Sequence, residues 1–284
     1  MGKKAVSYLL YQFLILFTVM LLLLAVAGWY AARGNPLVND GYLFFSLALP
    51  LVLLVNLLLL VYWAVRRKWL WLLLPVAAIV LNRSYVQANI QLRGAQEDAG
   101  GGDLKVATYN VHGFRGEGNY KATLEQIAGF FRRERVDILC LEETVISARH
   151  NRDSLCRAFG YLPYVSYDAP GVAIFSRYPI VDSQFIPFKN TENSAMWADL
   201  DVNGRRVRVL AAHLQTTGMS PAQRLLNQQV QQGNMAGEQE ALHRMGVSLQ
   251  ENSRVRAAQV MLLRRMLDTL TMPVIVCGDF NDPP

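Results

Sequence analysis

Up to about Leu92 the chain is almost continuously apolar, and beyond it the pattern changes character. Residues 5–32 carry no charged side chain, which is long enough to cross a bilayer. Gly41–Val65 is a second such run, interrupted only by Pro50 and Asn56. Trp69–Leu81 is shorter, so a third span has to continue past Arg83 to about Gln87, with Arg83 snorkelling to the interface. Trp69 and Trp71 suit an interfacial aromatic belt. Residues 91–103, QLRGAQEDAGGGD, hold three consecutive glycines and read as a flexible tether.

After the tether, short apolar runs alternate with helical periodicity. Residues 104–109 predict a strand ending at Asn110. Residues 122–135 predict a helix with Leu124, Ile127, Ala128 and Phe131 on one face. Residues 136–141 form an apolar run ending at Glu142 and Glu143. Residues 171–175 and 206–212 read as strands. Residues 220–270 read as helix, broken at Gly233 and Gly246, with Val255, Ala258, Leu262, Met266 and Leu270 as its core face. Residues 274–277 predict a buried strand running into Gly278-Asp279-Phe280-Asn281. This order predicts an α/β domain over residues 104–284, its sheet covered by helices, preceded by a membrane region over residues 1–90.

Composition fits that division: 52% of residues are hydrophobic and 18% charged. The net charge of +6 and pI of about 9.3 suit anionic partners. Part of that charge instead orients the spans. Lys3 and Lys4 hold the N-terminus in the cytoplasm, and Arg66, Arg67 and Lys68 hold the second short loop there. Three spans then place the soluble domain on the extracytoplasmic side; a re-entrant third run would place it in the cytoplasm. Lys3-Lys4 before an apolar run ending in Ala25-Val26-Ala27 also resembles a cleavable signal, but the run is long for one and favours an uncleaved anchor. Cys140, Cys156 and Cys277 show no C-x-x-C spacing, which argues against a disulfide framework.

The chemistry lies where the strands end. Asn110, Glu143, His213, Asp279 and Asn281 each stand at or just past the C-terminal end of an apolar run, the edge where α/β sheets bind ligands. Glu143 and Asp279 supply carboxylates and Asn110 an amide oxygen, the hard donors that Mg²⁺ takes alongside water and phosphate. Asp279 and Asn281, two apart on an extended chain, would face the same side. A protonated His213 would stabilise phosphoryl charge or assist the leaving group.

The segments ATYNVHGF (107–114), DILCLEET (137–144), GVAIFSRYPI (171–180), AAHLQTT (211–217) and VIVCGDFND (274–282) resemble, in this order, the motifs of the endonuclease/exonuclease/phosphatase superfamily. The resemblance implies a four-layer α/β/β/α sandwich and a metal-dependent phosphoesterase. It implies that Glu143, helped by Asn110, binds Mg²⁺ or Mn²⁺, and that Asp279 orients or activates the attacking water. Asn281 and His213 would contact the scissile phosphate. Glu142 stands where the family often has Gln, placing further negative charge beside the metal. Tyr178 reads as a packing residue. The superfamily's substrates include nucleic acids, nucleotides, phosphoinositides and sphingomyelin, and anchoring at a membrane favours a lipid headgroup or an extracytoplasmic phosphoester. A nuclease and a catalytically dead phosphate-binding or scaffold module are the alternatives. The family's final Asp-His motif has no counterpart before Pro284. The expectation is therefore a sandwich incomplete at its C-terminus, and an inactive, poorly stable 284-residue form.

Overall fold

The computed structural model describes residues 3–34, 37–39, 41–90, 104–115, 120–144, 151–167 and 171–281. The glycine-rich segment 91–103 lies outside them. The chain forms two compact units, one within Met1–Ala95 and the other within Gln96–Pro283.

The first unit is helical. Helix α1 (Lys3–Ala31) has 29 residues and α2 (Gly41–Val65) has 25. At 1.5 Å per residue these run to about 43 and 37 Å, more than a hydrocarbon core of about 30 Å. Both are long and apolar enough to cross a membrane. Their outer faces expose leucines, and their inner faces bury Ala25, Val52, Leu59 and Trp63 with Ala78 of α3 (Trp69–Leu81). Trp63 Nε1 donates to Thr18 Oγ1 at 3.1 Å, satisfying both polar groups inside the bundle.

The third apolar run is not one straight span. Helix α3 and α4 (Arg83–Asn89) are bent by 61° at their junction. Asn82 sits at the break, and its side-chain amide donates to the carbonyls of Ala25 and Ala78 at 3.1 and 3.0 Å. A polar side chain inserted into a helical ladder is a recognised origin of such kinks.

The second unit contains two four-stranded sheets. In the first, the order is β1 (Val106–Asn110), β2 (Ile138–Thr144), β4 (Gly171–Ser176), β3 (Tyr164–Ser166). In the second it is β5 (Ile180–Pro187), β6 (Ser194–Val202), β7 (Arg205–His213), β8 (Val274–Asp279). Ile138, Cys140, Val172 and Ile174 from one sheet meet Met196, Ala198, Leu200, Val209 and Ala211 from the other. Alternation along each strand sends the remaining apolar residues outward. There Leu139, Leu141 and Phe175 pack under α5 (Tyr120–Arg133) and α6 (Arg152–Ala158). Trp197, Leu210 and Ala212 pack under α8 (Met235–Leu267), against Leu263 and Met266. The result is four layers, α/β/β/α. Cys140 and Cys277 bring their sulfurs to 3.3 Å within the inter-sheet layer, and both are free.

The long helical region departs from its expected form in two ways. It breaks at Gly233, between α7 (Met219–Gln232) and α8, but α8 runs through Gly246 without interruption. One helical glycine costs only about 1 kcal/mol relative to alanine, which 33 residues of helix absorb. The expected core face is also rotated: Val255 and Leu262 are exposed, while Ser253, Arg256, Gln259 and Leu263 are buried.

Beneath α8 the second sheet holds an ion pair. Arg208 Nε and Nη2 donate to the two oxygens of Asp199 at 2.6 and 2.8 Å, and the guanidinium lies 3.7 Å from the centre of the Trp197 ring. The Asp199 side chain is only 4% exposed. Arg208→Ala strands that carboxylate and should cost about 3–5 kcal/mol, whereas a double Arg208→Met, Asp199→Leu replacement should recover most of the loss. Urea denaturation midpoints of the two variants check this.

Candidate active site

Most strand pairs in the sandwich are antiparallel, but β1 with β2 and β7 with β8 are parallel. Only a parallel pair ends both its strands at the same edge. In the first pair Asn110 lies opposite Glu142, and in the second His213 lies opposite Asp279. Each sheet thus delivers two polar strand ends.

Side-chain bonds join the two sheets there. Asn110 Nδ2 donates to Glu143 Oε1 and to Asp279 Oδ2, both at 2.9 Å. Asn110 Oδ1 accepts from the His112 amide at 2.9 Å. One amide thus holds two carboxylates from different sheets beside one another. His213 Nε2 lies 3.7 Å from Glu143 Oε1, too far for a hydrogen bond, and this buried nitrogen has no hydrogen-bond partner among the described residues.

A local irregularity aims Glu143. Strict alternation would send it to the helix-covered face with Leu139 and Leu141. Instead the register with β4 shifts between Glu142 and Thr144, and Glu143 adopts a φ of 54°. This is a bulge, the device that re-aims a side chain at a sheet's end.

Glu142 keeps the regular alternation and is buried. Burial pushes its carboxyl up to about 7, countered by the Thr108 hydroxyl donating to it at 2.7 Å and reinforced by the charge of Asp279. For Glu143, burial acts upward, but the bonds from Asn110 and His112 and the charges of both imidazoles hold it below the usual carboxylate value. Burial lowers the His213 imidazole, with Glu143 and Asp279 opposing.

Asp279 and Asn281 do not meet by strand alternation. Strand β8 ends at Asp279, and Asn281 has a φ of 50°, so the chain turns. The Asn281 amide donates to Asp279 Oδ1 at 3.0 Å, and its Nδ2 donates to the Leu214 carbonyl at 2.9 Å. Gly278 makes this ending possible. Its φ is 136°, and a Cβ there would lie 2.0 Å from the Ala212 carbonyl oxygen.

Two participants were not singled out from the sequence. His112 Nδ1 lies 2.9 Å from Glu143 Oε2, on an imidazole that is 72% exposed. Its polar spacing of two from Asn110 was the available signal. Thr108 earns its place only through Glu142, a cross-strand neighbour that sequence spacing cannot reveal.

The donor set suits a hard divalent cation. Two carboxylates held at one amide concentrate negative charge, and the orphaned His213 Nε2 beside them awaits a polar partner. Among the described residues, no three His, Cys, Asp or Glu side chains are grouped to hold a metal by themselves. Mg²⁺ does not require such a cage, because it binds through one or two carboxylates plus water and phosphate.

A family model described as Endonuclease/Exonuclease/phosphatase family matches residues 107–284. A second, described as Domain of unknown function (DUF8431), matches residues 8–89. No curated protein matches the chain. Among solved structures it is similar to humanized D. rerio TDP2, at 17% identity and a TM-score of 0.43, covering 63% of each chain. It is also similar to sphingomyelinase C from Streptomyces griseocarneus, at 23% identity and a TM-score of 0.45, covering 63% of this chain and 64% of that one. The chain thus spans under two thirds of the length of either. With the family match covering most of its length, the chain belongs to the endonuclease/exonuclease/phosphatase family.

Proposed function

We propose that this protein is a membrane-anchored, divalent-metal-dependent phosphoesterase that hydrolyses a phosphate ester by attack of water. The observation that carries the reading is the convergence of Asn110, Glu143, His213 and Asp279 at one edge of the sandwich, with Asn110 bonded to both carboxylates.

Glu143 would hold Mg²⁺ or Mn²⁺; Asn110, which turns its amide nitrogen to the two carboxylates and its oxygen to the His112 amide, would position Glu143 instead of supplying the oxygen ligand expected from the sequence. When bound, the ion supplies Lewis-acid polarisation of a phosphoryl oxygen. The Asp279 carboxylate, fixed by Asn110 and by the Asn281 amide, orients the water. His213 Nε2 offers the polar contact to a phosphate oxygen that no described side chain occupies. Asn281 joins it at the phosphate. The apolar helices anchor the protein, and with α3 and α4 together forming a third, broken span, the placement of Lys3, Lys4, Arg66, Arg67 and Lys68 favours the extracytoplasmic side for the soluble unit. A site tethered to a bilayer favours a lipid headgroup or an extracytoplasmic phosphoester as substrate.

The test is hydrolysis of bis(p-nitrophenyl) phosphate and p-nitrophenyl phosphate by the intact protein in detergent. EDTA should abolish turnover and added Mg²⁺ or Mn²⁺ should restore it. Turnover that persists unchanged in EDTA would sink the metal-dependent reading.

A further inference from the structure

The loop that follows His213 is held by an unusual partner, the polar flank of a helix. Residues 214–218 leave β7 without entering another strand, so their backbone groups need partners elsewhere. Helix α8 provides them. Gln259 Oε1 accepts from the Gln215 amide at 2.8 Å, and Arg256 Nη1 donates to the Gln215 carbonyl at 3.1 Å. Asn252 accepts from Gln215 Nε2 at 2.8 Å and donates to the Thr217 carbonyl at 3.3 Å. Ser248 Oγ donates to the Gly218 carbonyl at 3.1 Å.

These side chains recur at three- and four-residue steps, so they form one stripe along α8. The stripe is turned inward, with Arg256 and Gln259 only 7% and 5% exposed, although the same helix carries Val255 and Leu262 on an exposed flank. Burying arginine and glutamine in preference to valine and leucine costs desolvation unless their bonds are needed.

The loop they hold is wired to the site. The Leu214 amide donates to the Asp279 carbonyl at 2.9 Å. The Leu214 carbonyl accepts from Asn281 Nδ2 at 2.9 Å and from Asn193 Nδ2 at 3.0 Å. Leu214 is therefore the shared neighbour of His213, Asp279 and Asn281.

We infer that Asn252, Arg256 and Gln259 are positioning residues, a clamp on Gln215 that sets where His213 and Asn281 stand toward a bound phosphoryl group. This rests on the phosphoesterase reading for what the site binds. The clamp itself rests on the hydrogen bonds alone.

Gln259 is the residue to vary, because its acceptor can be removed or kept at nearly constant size. Gln259→Leu removes the acceptor for the Gln215 amide, and Gln259→Glu retains it. Two measurements on the intact protein in detergent decide the matter. Hydrogen–deuterium exchange over residues 213–218 reads the clamp directly. The kcat and KM for bis(p-nitrophenyl) phosphate with Mg²⁺ read its effect on chemistry. Gln259→Leu should speed exchange there and lower kcat by about 10²-fold with little change in KM, the scale of a small misplacement of reacting groups. Gln259→Glu should restore both. Unchanged protection in Gln259→Leu overturns the clamp. Lost protection with unchanged kcat, or equal damage in both variants, overturns the positioning role. If the wild-type protein hydrolyses no phosphoester, the functional proposal falls by itself, and exchange alone then decides the clamp.

Discussion

Glu143→Gln is expected to abolish tight Mn²⁺ binding and to lower metal-dependent phosphoester hydrolysis by about 10³-fold or more. That factor corresponds to roughly 4 kcal/mol of barrier, within the several kcal/mol that a Lewis-acidic cation contributes. The substitution preserves size and keeps an oxygen to accept from Asn110 Nδ2, so the link between Asn110 and Asp279 has no reason to break. What disappears is the charge. Glu143 is held below the usual carboxylate value by Asn110 and by the His112 and His213 imidazoles, and it shares Asn110 Nδ2 with the Asp279 carboxylate. Removing one of two adjacent negative charges removes the attraction that concentrates a divalent cation there. Electron paramagnetic resonance of titrated Mn²⁺ reads the binding, and Mg²⁺-dependent release of p-nitrophenol reads the chemistry. Wild-type affinity for Mn²⁺ in the variant would show that the ion, if held, is held elsewhere.

The second large effect concerns stability. Gly278→Ala should destabilise the soluble unit by about 4 kcal/mol, a large part of the roughly 5–15 kcal/mol that a domain has. Two costs combine. A φ of 136° is one that only glycine adopts readily, a penalty of about 1–3 kcal/mol for other residues. The new Cβ would also stand 2.0 Å from the Ala212 carbonyl oxygen and 2.7 Å from the Ala212 amide nitrogen, both backbone atoms of the paired strand. Neither can swing aside as a flexible side chain would. Relief requires β8 to move away from β7 and to carry Asp279 with it. Thermal melting of the purified variant, compared with wild type, measures the loss; an unchanged melting temperature would mean that β8 relaxes without cost.

The site was more legible in the sequence than the sandwich around it. Asn110, Glu143, His213 and Asp279 could be found because each interrupts an apolar run at its end, and parallel pairing gathers those ends. Strands β5 and β6 were harder to see. Strand β5 exposes Val181 and carries Asp182, Ser183 and Gln184, so it lacks a continuous apolar run. Strand β6 is buried almost throughout, yet it includes alanines and an aspartate that need Arg208 to be acceptable inside. The aim of Glu143 was not legible because a bulge breaks the alternation on which sequence reading depends. The core face of α8 is hidden from sequence pattern for a related reason. Its apolar stripe looked decisive, but the loop beneath it required hydrogen bonds, and the polar stripe was chosen. The bend at Asn82 likewise depends on a bond to Ala25, a residue far away in sequence.

The hydrogen bond from Asn110 to Asp279 joins residues 169 positions apart. Joining ends so distant costs about 4.5 kcal/mol of loop-closure entropy if nothing between them is yet ordered. Such contacts characterise slow, non-local folding, in which the distant partners meet after the intervening segments have folded. A ribosome finishes Asn110, Glu143 and His213 well before it reaches Asp279. The nascent chain therefore holds an unassembled centre while its long apolar helices are already made, and the centre closes only when the strand carrying Asp279 docks beside β7.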